Sequence, residues 1–387
     1  MTEKLYYIDS HLDKFSALVK DICVINNRCA VVLDKTAFFP EGGGQLADVG
    51  FIEGTNIYDV KEKDGEIYHF FSGEADFKIG DTVNARIDFS LRFARMQAHS
   101  GEHIVSGLAH KLFNAENVGF HMDGLLMTVD FDKVLTAENI AQLEAMANER
   151  VYKNLSVYTQ TATDNSIDYR SKKDFDGEVR VVVIEDTDRC ACCAPHVKKT
   201  GEIGLIKILS CVSHRGGVRI TLICGGAAYE NYCNMYSQIL KISALLAAKH
   251  NEASIAVEKL LTQNTELKSK ITLQRHKKNC IIADSVRESV KNIALQCLDS
   301  DMEDLREIAL LIREKAEGVA IAYCGSDENG YIYALTGREN KLKKLIPLLN
   351  SSLHGRGGGN DEMLQGNLCC KASDIVSFFL DLEVDKL

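Results

Sequence analysis

The sequence predicts an α+β protein of several parts: a small N-terminal β-barrel, an α+β domain around one long helix, a long helical linker and a C-terminal α/β domain. Three observations carry this. Short β-rich runs with turn residues between them fill the first ninety residues. Helix-like and strand-like periods then alternate to about residue 226. From about Tyr229 to Arg275 there is no proline or glycine, and apolar residues return every seven positions. The expected boundaries are 1–89, 90–227, 228–278 and 279–387. At 387 residues the chain exceeds what one ordinary core encloses.

Composition narrows the class. Hydrophobic residues at 45% and charged ones at 26% describe a globular protein, and no apolar run is long enough to cross a bilayer. The opening residues, Met-Thr-Glu-Lys-Leu-Tyr-Tyr, do not follow the plan of a secretion signal. Thirteen cysteines, odd in number and irregular in spacing, are expected as reduced thiols in the cytoplasm. A net charge of −10 argues against indiscriminate nucleic-acid binding, which rewards excess positive charge. Two local patches still permit specific contact with a polyanion: Lys198, Lys199, Lys207, Arg215 and Arg219 with only Glu202 among them, and Lys268, Lys270, Arg275, Lys277 and Lys278 without an acid.

The barrel strands are expected at Ile22–Ile25, Ala30–Leu33, Phe51–Ile52, Ile57–Val60, Ile67–Phe71 and Thr82–Ile87. Within this region Gly42, Gly43 and Gly44 follow Pro40 and allow the backbone to pass close to a ligand or another segment. A helix is expected from Ser90, capped by residues 88–90, with Leu91, Met96, Ile104, Val105 and Leu108 as its apolar stripe. A strand over Leu125–Asp130 follows Val118–His121. Thr136 caps the next helix, through about Asn154, with Glu138 as an imperfect partner for a capping box. Strands are expected at Val157–Thr161 and Val179–Ile184.

In the linker Ile239, Leu246, Ala253, Leu260 and Leu267 form one seam. The second seam is interrupted by Lys249, His250, Gln263 and Asn264, so a long helix or helical hairpin is expected rather than a strong coiled coil. Beyond Asn279 the strands Gly318–Cys324 and Tyr331–Leu335 precede a helix from Lys341 to Leu353, a glycine-rich loop from His354 to Asn360, and a last helix from Ser373. The loop lacks the Gly-Lys-Ser/Thr ending of a phosphate-binding P-loop. With Arg356, Gly357 and Gly358 in it, backbone N–H groups are expected to cradle a phosphate.

The chemistry concentrates in two segments. His99 and His103 in His-Ser-Gly-Glu-His lie four apart, on one face of the expected helix. About ninety residues on, Cys190-Ala191-Cys192-Cys193-Ala194-Pro195-His196 offers thiolates and a third imidazole. Thiolate plus imidazole is the ligand set zinc prefers. His99, His103, Cys192 and His196 are the expected ligands of one zinc ion, with Cys190 and Cys193 as alternatives to Cys192. A full set of four makes a structural site, whereas three ligands plus water make a hydrolytic one, and the spacing does not choose. A rival reading takes the same pentapeptide as the inverted zincin pattern H-x-x-E-H, with Glu102 activating water for peptide hydrolysis. That reading requires an acidic third ligand and leaves Cys192–His196 and the Gly42–Gln45 stretch without a role.

Together these residues resemble a family. Thr36 to Gly50 is similar to the TxFYPxGGGQxxDxG motif of the AlaX-type alanyl-tRNA editing proteins. His99 and His103 match that family's HxxxH, Val118–His121 matches a following element, and Cys192 to Gly201 resembles CGGTHVxxTG. His354–Asn360 resembles the glycine-rich signature of the accessory domain shared by alanyl-tRNA synthetases and DHH phosphoesterases, the long form of the family. The chain has no Asp-His-His triplet, which disfavours a DHH phosphoesterase. Two departures stand out: Cys193-Ala194-Pro195 replaces Gly-Gly-Thr, and Ser100-Gly101-Glu102 fills the interior of HxxxH.

The resemblance implies hydrolysis of the ester joining serine or glycine to alanine tRNA. With no aminoacylation domain among these residues, it implies correction of tRNA charged by another enzyme. It also implies roles. Thr36 is expected to bond the serine hydroxyl, the alternative being a hydroxyl that caps its own turn. Gln45, Gly43 and Gly44 are expected to position the ester. Glu102, a departure from the family's pattern, is a further candidate catalytic residue and leaves open whether a carboxylate assists a metal-bound water. The C-terminal part is expected to grip tRNA, and the linker and C-terminal domain to form a homodimer. A non-catalytic tRNA-binding module is the remaining alternative.

Overall fold

The computed structural model describes residues 1–163, 168–171, 177–287, 290–338 and 342–383. They form two compact units, Met1–Lys241 and Ile242–Leu387. In the first unit, six strands, β1 (Lys14–Ile25), β2 (Arg28–Leu33), β3 (Gly50–Ile52), β4 (Thr55–Lys63), β5 (Glu66–Phe71) and β6 (Thr82–Ile87), pair antiparallel in the cyclic order β1-β2-β5-β4-β3-β6. The ring closes because alternation is strict where it matters. In β6, Val83, Ala85 and Ile87 point inward while Thr82, Asn84 and Arg86 face out. Val31, Leu33, Ile52, Ile57, Val60 and Ile67 fill the interior from the other strands.

One polar side chain sits in that interior. His69 of β5 is fully buried; its Nδ1–H donates to the Val31 carbonyl (3.0 Å) and its Nε2 lies 2.8 Å from the Thr36 hydroxyl. Burial pushes its pKa down to about 4. The unfolded chain therefore binds a proton near pH 6.5 that the folded chain refuses until about pH 4. Stability is full above pH 6.5 and falls on acidification through that window, by on the order of 3 kcal/mol. Urea unfolding at several pH values is expected to show this slope, and His69→Gln to flatten it.

The barrel continues directly into α1 (Phe89–Phe113), whose N-cap Asp88 accepts from the Leu91 amide. Helix α1 is buried on nearly every side from Arg92 to Ala109. One face packs on β7 (Asn117–Asp123) and β8 (Leu126–Phe131), part of a four-stranded sheet completed by β12 (Ile206–His214) and β13 (Gly217–Cys224) in the order β12-β13-β8-β7. Helix α2 (Ala137–Tyr152) packs beside it through Leu143, Ala147 and Val151. Thr136 does cap α2, but Asn139 rather than Glu138 completes the box, because N3 is the position that faces the cap amide. A second sheet, β9 (Val157–Ala162), β10 (Val179–Ile184) and β11 (Asp188–Ala191), has the order β9-β10-β11.

No break separates barrel from α1, so the division expected at residue 89 falls inside one unit. The reason is Arg92, fully buried, whose Nε donates to Asp48 Oδ1 at 2.9 Å, and whose Nη2 pairs with Asp48 Oδ2 and donates to the Ala37 carbonyl at 2.6 Å. Asp48 Oδ2 also accepts from the Phe39 amide. The acid of the glycine-rich motif thus rivets that motif to the helix bearing His99.

The linker is two helices, α3 (Gly225–Leu245) and α4 (Ala253–Asp284), separated by a short turn at His250–Glu252. In the second unit β14 (Ile293–Gln296) runs parallel to β15 (Val319–Ser326), and β16 (Gly330–Gly337), β17 (Arg356–Gly359) and β18 (Met363–Leu368) complete an otherwise antiparallel sheet ordered β14-β15-β16-β18-β17. Helix α5 (Met302–Arg313) buries Leu305, Ile308, Ala309 and Ile312, and α6 (Leu345–Ser352) and α7 (Ala372–Asp381) supply further core. The Lys341 start expected for α6 lies outside the described residues.

The glycine-rich stretch is a strand rather than a loop. Arg356 to Gly359 forms the edge strand β17, opposite Asn367 to Leu364 of β18. A side chain at Gly357 would place its Cβ 2.3 Å from the Gln365 carbonyl, so the glycine serves close strand pairing. Half of the residues in the two basic patches are paired with acids. Arg275 pairs with Asp301, Glu303 and Asp304, Lys278 with Asp304, Lys198 with Asp9, Lys207 with Glu144, and Arg219 with Asp130.

Candidate metal centre

Helix α1 delivers His99 and His103 to the same side, and the segment after β11 brings Cys192 and His196 against them. One donor atom from each of the four lies within 4.8 Å of all the others. The rings approach closely, with centroid separations of 5.3 Å for His99–His103, 4.9 Å for His99–His196 and 4.6 Å for His103–His196. All three imidazoles are buried.

Two hydrogen-bond partners assign tautomers: His99 Nδ1 donates to Gln45 Oε1 (3.0 Å) and His103 Nδ1 to Asp188 Oδ2 (3.2 Å). His196 Nδ1 lies 3.0 Å from Ser100 Oγ, a hydroxyl that can give or take the proton. Each ring therefore turns Nε2 inward, as a metal-binding histidine does when its other nitrogen is held. Nε2 of His99 and of His196 lie 3.6 and 3.4 Å from Cys192 Sγ. Zinc bonds of about 2.0–2.1 Å to nitrogen and about 2.3 Å to sulfur, at tetrahedral angles, put nitrogen and sulfur about 3.6 Å apart. The donor set is spaced for such an ion.

The electrostatics divide. Burial lowers His103, but its bonds to Asp188 and Cys192 outweigh that and raise it well above its ordinary range. Burial alone would raise the Cys192 thiol, but the His99, His196 and His103 imidazoles outweigh it and hold the thiol well below its ordinary range. Burial pushes His196 down to about 3, which keeps its ring neutral. Of the three thiols in the segment, Cys192 stands among the imidazoles. Cys190 lies instead beside His103 and Asp188, and Cys193 faces the Gly42–Gly43 backbone.

His99, His103 and Cys192 of the cluster line a cavity of about 650 Å³, together with Gly43, Gly44, Glu102, Asn117, Phe120, Arg170 and Arg180. Gly44 has φ +84° and a Cβ there would meet Phe120 Cδ1 at 2.6 Å, while Phe120 itself lies against His99. Gly44→Ala is expected to displace this wall and cost at least 1–2 kcal/mol in backbone strain, on the order expected for a left-handed non-glycine residue; thermal unfolding reads it.

Other expected site residues have different neighbours. Thr36 is fully buried; its hydroxyl accepts from the Phe38 amide (3.1 Å) and meets His69, so it caps its own turn as in the alternative reading and does not line the cavity. Gln45 orients His99 rather than facing the cavity. Glu102 does line it: Oε1 accepts from Ser106 Oγ (2.5 Å) and Asn117 Nδ2 (2.6 Å). Cysteine and histidine, not the acid an inverted zincin requires, complete the donor set. Arg356, Gly357 and Gly358 belong to the second unit.

Asp188, Arg170, Ser100 and Asn117 were not legible as site residues. Ser100 alone carried a signal, by its place between the two histidines.

The comparisons agree with this geometry. Residues 7–91 match the family of class II (A) tRNA synthetases, and residues 179–221 match the threonyl and alanyl tRNA synthetase second additional domain. The barrel and the cysteine segment thus resemble the class of domain found in these synthetases, while the helix bearing His99 and His103 lies between the two matched stretches. Within that class, the chain resembles the AlaX-type alanyl-tRNA editing proteins along its whole length. It is 26% identical to the alanyl-tRNA editing protein AlaX-L of Pyrococcus horikoshii over 100% of this chain and 98% of that protein. It is 27% identical to the alanyl-tRNA editing protein Aarsd1 of Mus musculus over 87% of this chain and 84% of that one. An alanine–tRNA ligase of Thermococcus kodakarensis is 27% identical over 95% of this chain, which spans 42% of that ligase.

Proposed function

We propose that this chain is a trans-editing hydrolase that cleaves the ester of serine, and of glycine, wrongly attached to alanine tRNA, with one zinc ion held by His99, His103, Cys192 and His196. The observation that carries the reading is the convergence of three imidazoles and one thiol beside the cavity, with Nε2 of His99 and His196 at the distance from Cys192 Sγ that a tetrahedral zinc sets. The relatives named as alanyl-tRNA editing proteins support the substrate class.

Zinc bound there supplies Lewis acidity toward the ester. The chain's own groups do the rest. Gly43 and Gly44 bring bare backbone to the cavity and admit the aminoacyl end of the tRNA. Glu102 Oε1 is fixed by Ser106 and Asn117, which leaves Oε2 as acceptor for the proton of an attacking water. As the water oxygen bonds to the acyl carbon, the ribose oxygen leaves and takes a proton. Gln45 and Thr36 act from behind, Gln45 by aiming His99 and Thr36 by fixing the start of the glycine-rich segment.

Editing fits the energetics of selection. An alanine-sized synthetic pocket rejects serine poorly, so a second hydrolytic site is the usual remedy. A polar wall that bonds the serine hydroxyl discriminates strongly against alanine, which would leave it unpaired. In the second unit the open edge of β17, with Arg356, Gly357 and Gly358, is our candidate grip on tRNA. The exposed Leu260, Leu261, Leu267 and Ile271 of α4 are our candidate contact with a second copy of the chain, which light scattering tests. No helix among the described residues is long and apolar enough to cross a membrane, in keeping with a cytoplasmic role.

Release of the amino acid from alanine tRNA charged with serine, glycine or alanine tests the proposal. Serine and glycine are expected to be released and alanine retained. Tight tRNA binding with no release would leave only a binding module.

A further inference from the structure

The acceptor behind His103 differs in kind from those behind the other two rings. His99 and His196 bond a neutral amide and a neutral hydroxyl, whereas His103 donates to the buried carboxylate of Asp188. Asp188 is in turn gripped by Arg170, Nε to Oδ1 and Nη2 to Oδ2, both at 2.8 Å. Arg170 is fixed from its backbone: its N–H donates to the Arg189 carbonyl (2.7 Å), and its own carbonyl accepts from the Ala191 amide (3.0 Å). The guanidinium therefore has little freedom to leave.

His103, Asp188 and Cys190 also form a second cluster of metal-binding residue types, with donor atoms within 4.8 Å of one another. Two features decide against a second ion. Nδ1 of His103 carries the proton it gives to Asp188, and the fork of Arg170 already fills the cation position on both carboxylate oxygens. An unpaired Asp188 would draw a divalent ion toward this side of the ring.

We propose that Asp188 and Arg170 are positioning residues for the metal centre: Asp188 fixes the His103 tautomer that aims Nε2 at Cys192, and Arg170 holds Asp188 in place and excludes a second cation. This rests on the ligand set of the proposed function. Nothing in the pentapeptide or the cysteine segment assigns either residue such a role.

The test is zinc affinity of the full chain by competition with a chromogenic chelator, together with ions bound per chain and the visible spectrum of the cobalt(II)-loaded form. Asp188→Ala is expected to weaken zinc about 10–100-fold, the usual effect of losing the partner of a ligating histidine, and to alter the cobalt spectrum while far-UV circular dichroism is unchanged. Asp188→Asn, which keeps the side-chain shape, carries the same test if the alanine variant does not fold. Arg170→Gln is expected to weaken zinc less than Asp188→Ala, with Arg170→Lys recovering part of the loss. Wild-type affinity in a folded Asp188 variant overturns the inference, as does a second ion in the wild type or an Arg170→Lys no better than Arg170→Gln. If the wild type binds no zinc at all, the ligand set itself falls, which is a distinct result.

Discussion

Cys192→Ala is expected to abolish zinc binding and deacylation together. Cys192 supplies the only sulfur among the four converging donors, and it is the atom on which the Nε2 atoms of His99 and His196 close at 3.6 and 3.4 Å. Its loss leaves three imidazoles and a gap where the thiolate stood. Since loss of an outer partner costs about 10–100-fold, loss of the ligand itself is expected to exceed about 100-fold in both affinity and rate. His103→Ala should behave alike. Metal content after dialysis and single-turnover release of serine are the two readouts. Cys190→Ala and Cys193→Ala are the contrasts: each is expected to retain the metal, because neither sulfur stands among the three Nε2 atoms. A Cys192→Ala protein with full zinc content would refute the ligand assignment.

Asp48→Ala has the largest effect expected on stability. It removes the sole carboxylate gripping Arg92, a fully buried guanidinium, and deprives the Phe39 amide of its acceptor. Breaking a buried ion pair by deleting one partner costs about 3–5 kcal/mol, because the other charge stays buried without compensation. Urea denaturation should show that loss, and the double change Asp48→Ala with Arg92→Met should recover part of it by removing the stranded charge. Because Arg92 also donates to the Ala37 carbonyl at the head of the glycine-rich motif, the variant is expected to loosen the Gly43–Gly44 wall as well.

Much of this was legible in the sequence. Short β-rich runs between turns locate all six barrel strands, although Ile22–Ile25 marks only the end of β1 (Lys14–Ile25), and the Asp88 cap with its apolar stripe locates the start of α1 to within one residue. His99 and His103 were legible because a helix makes a four-residue spacing into proximity. Cys192 and His196 were legible by residue type and by resemblance. What was not legible is non-local. Arg170 and Asp188 meet only because Arg170 bridges to Cys190 of β11, and no period or motif encodes that. Thr36 went to His69 rather than to the cavity because the closure of the barrel buries both, a consequence of strand register. The stretch at 356–359 reads as a loop in the sequence because glycine lowers strand propensity; its partner β18 overrides that by pairing.

The most direct measurement is serine release from mischarged alanine tRNA by the full chain, first stripped of metal and then reloaded in steps. Negligible release by the stripped chain, rising to a maximum at one zinc per chain while alanine stays attached, is the result predicted. Undiminished serine release by the metal-free chain would contradict a zinc-dependent editing site built on His99, His103, Cys192 and His196.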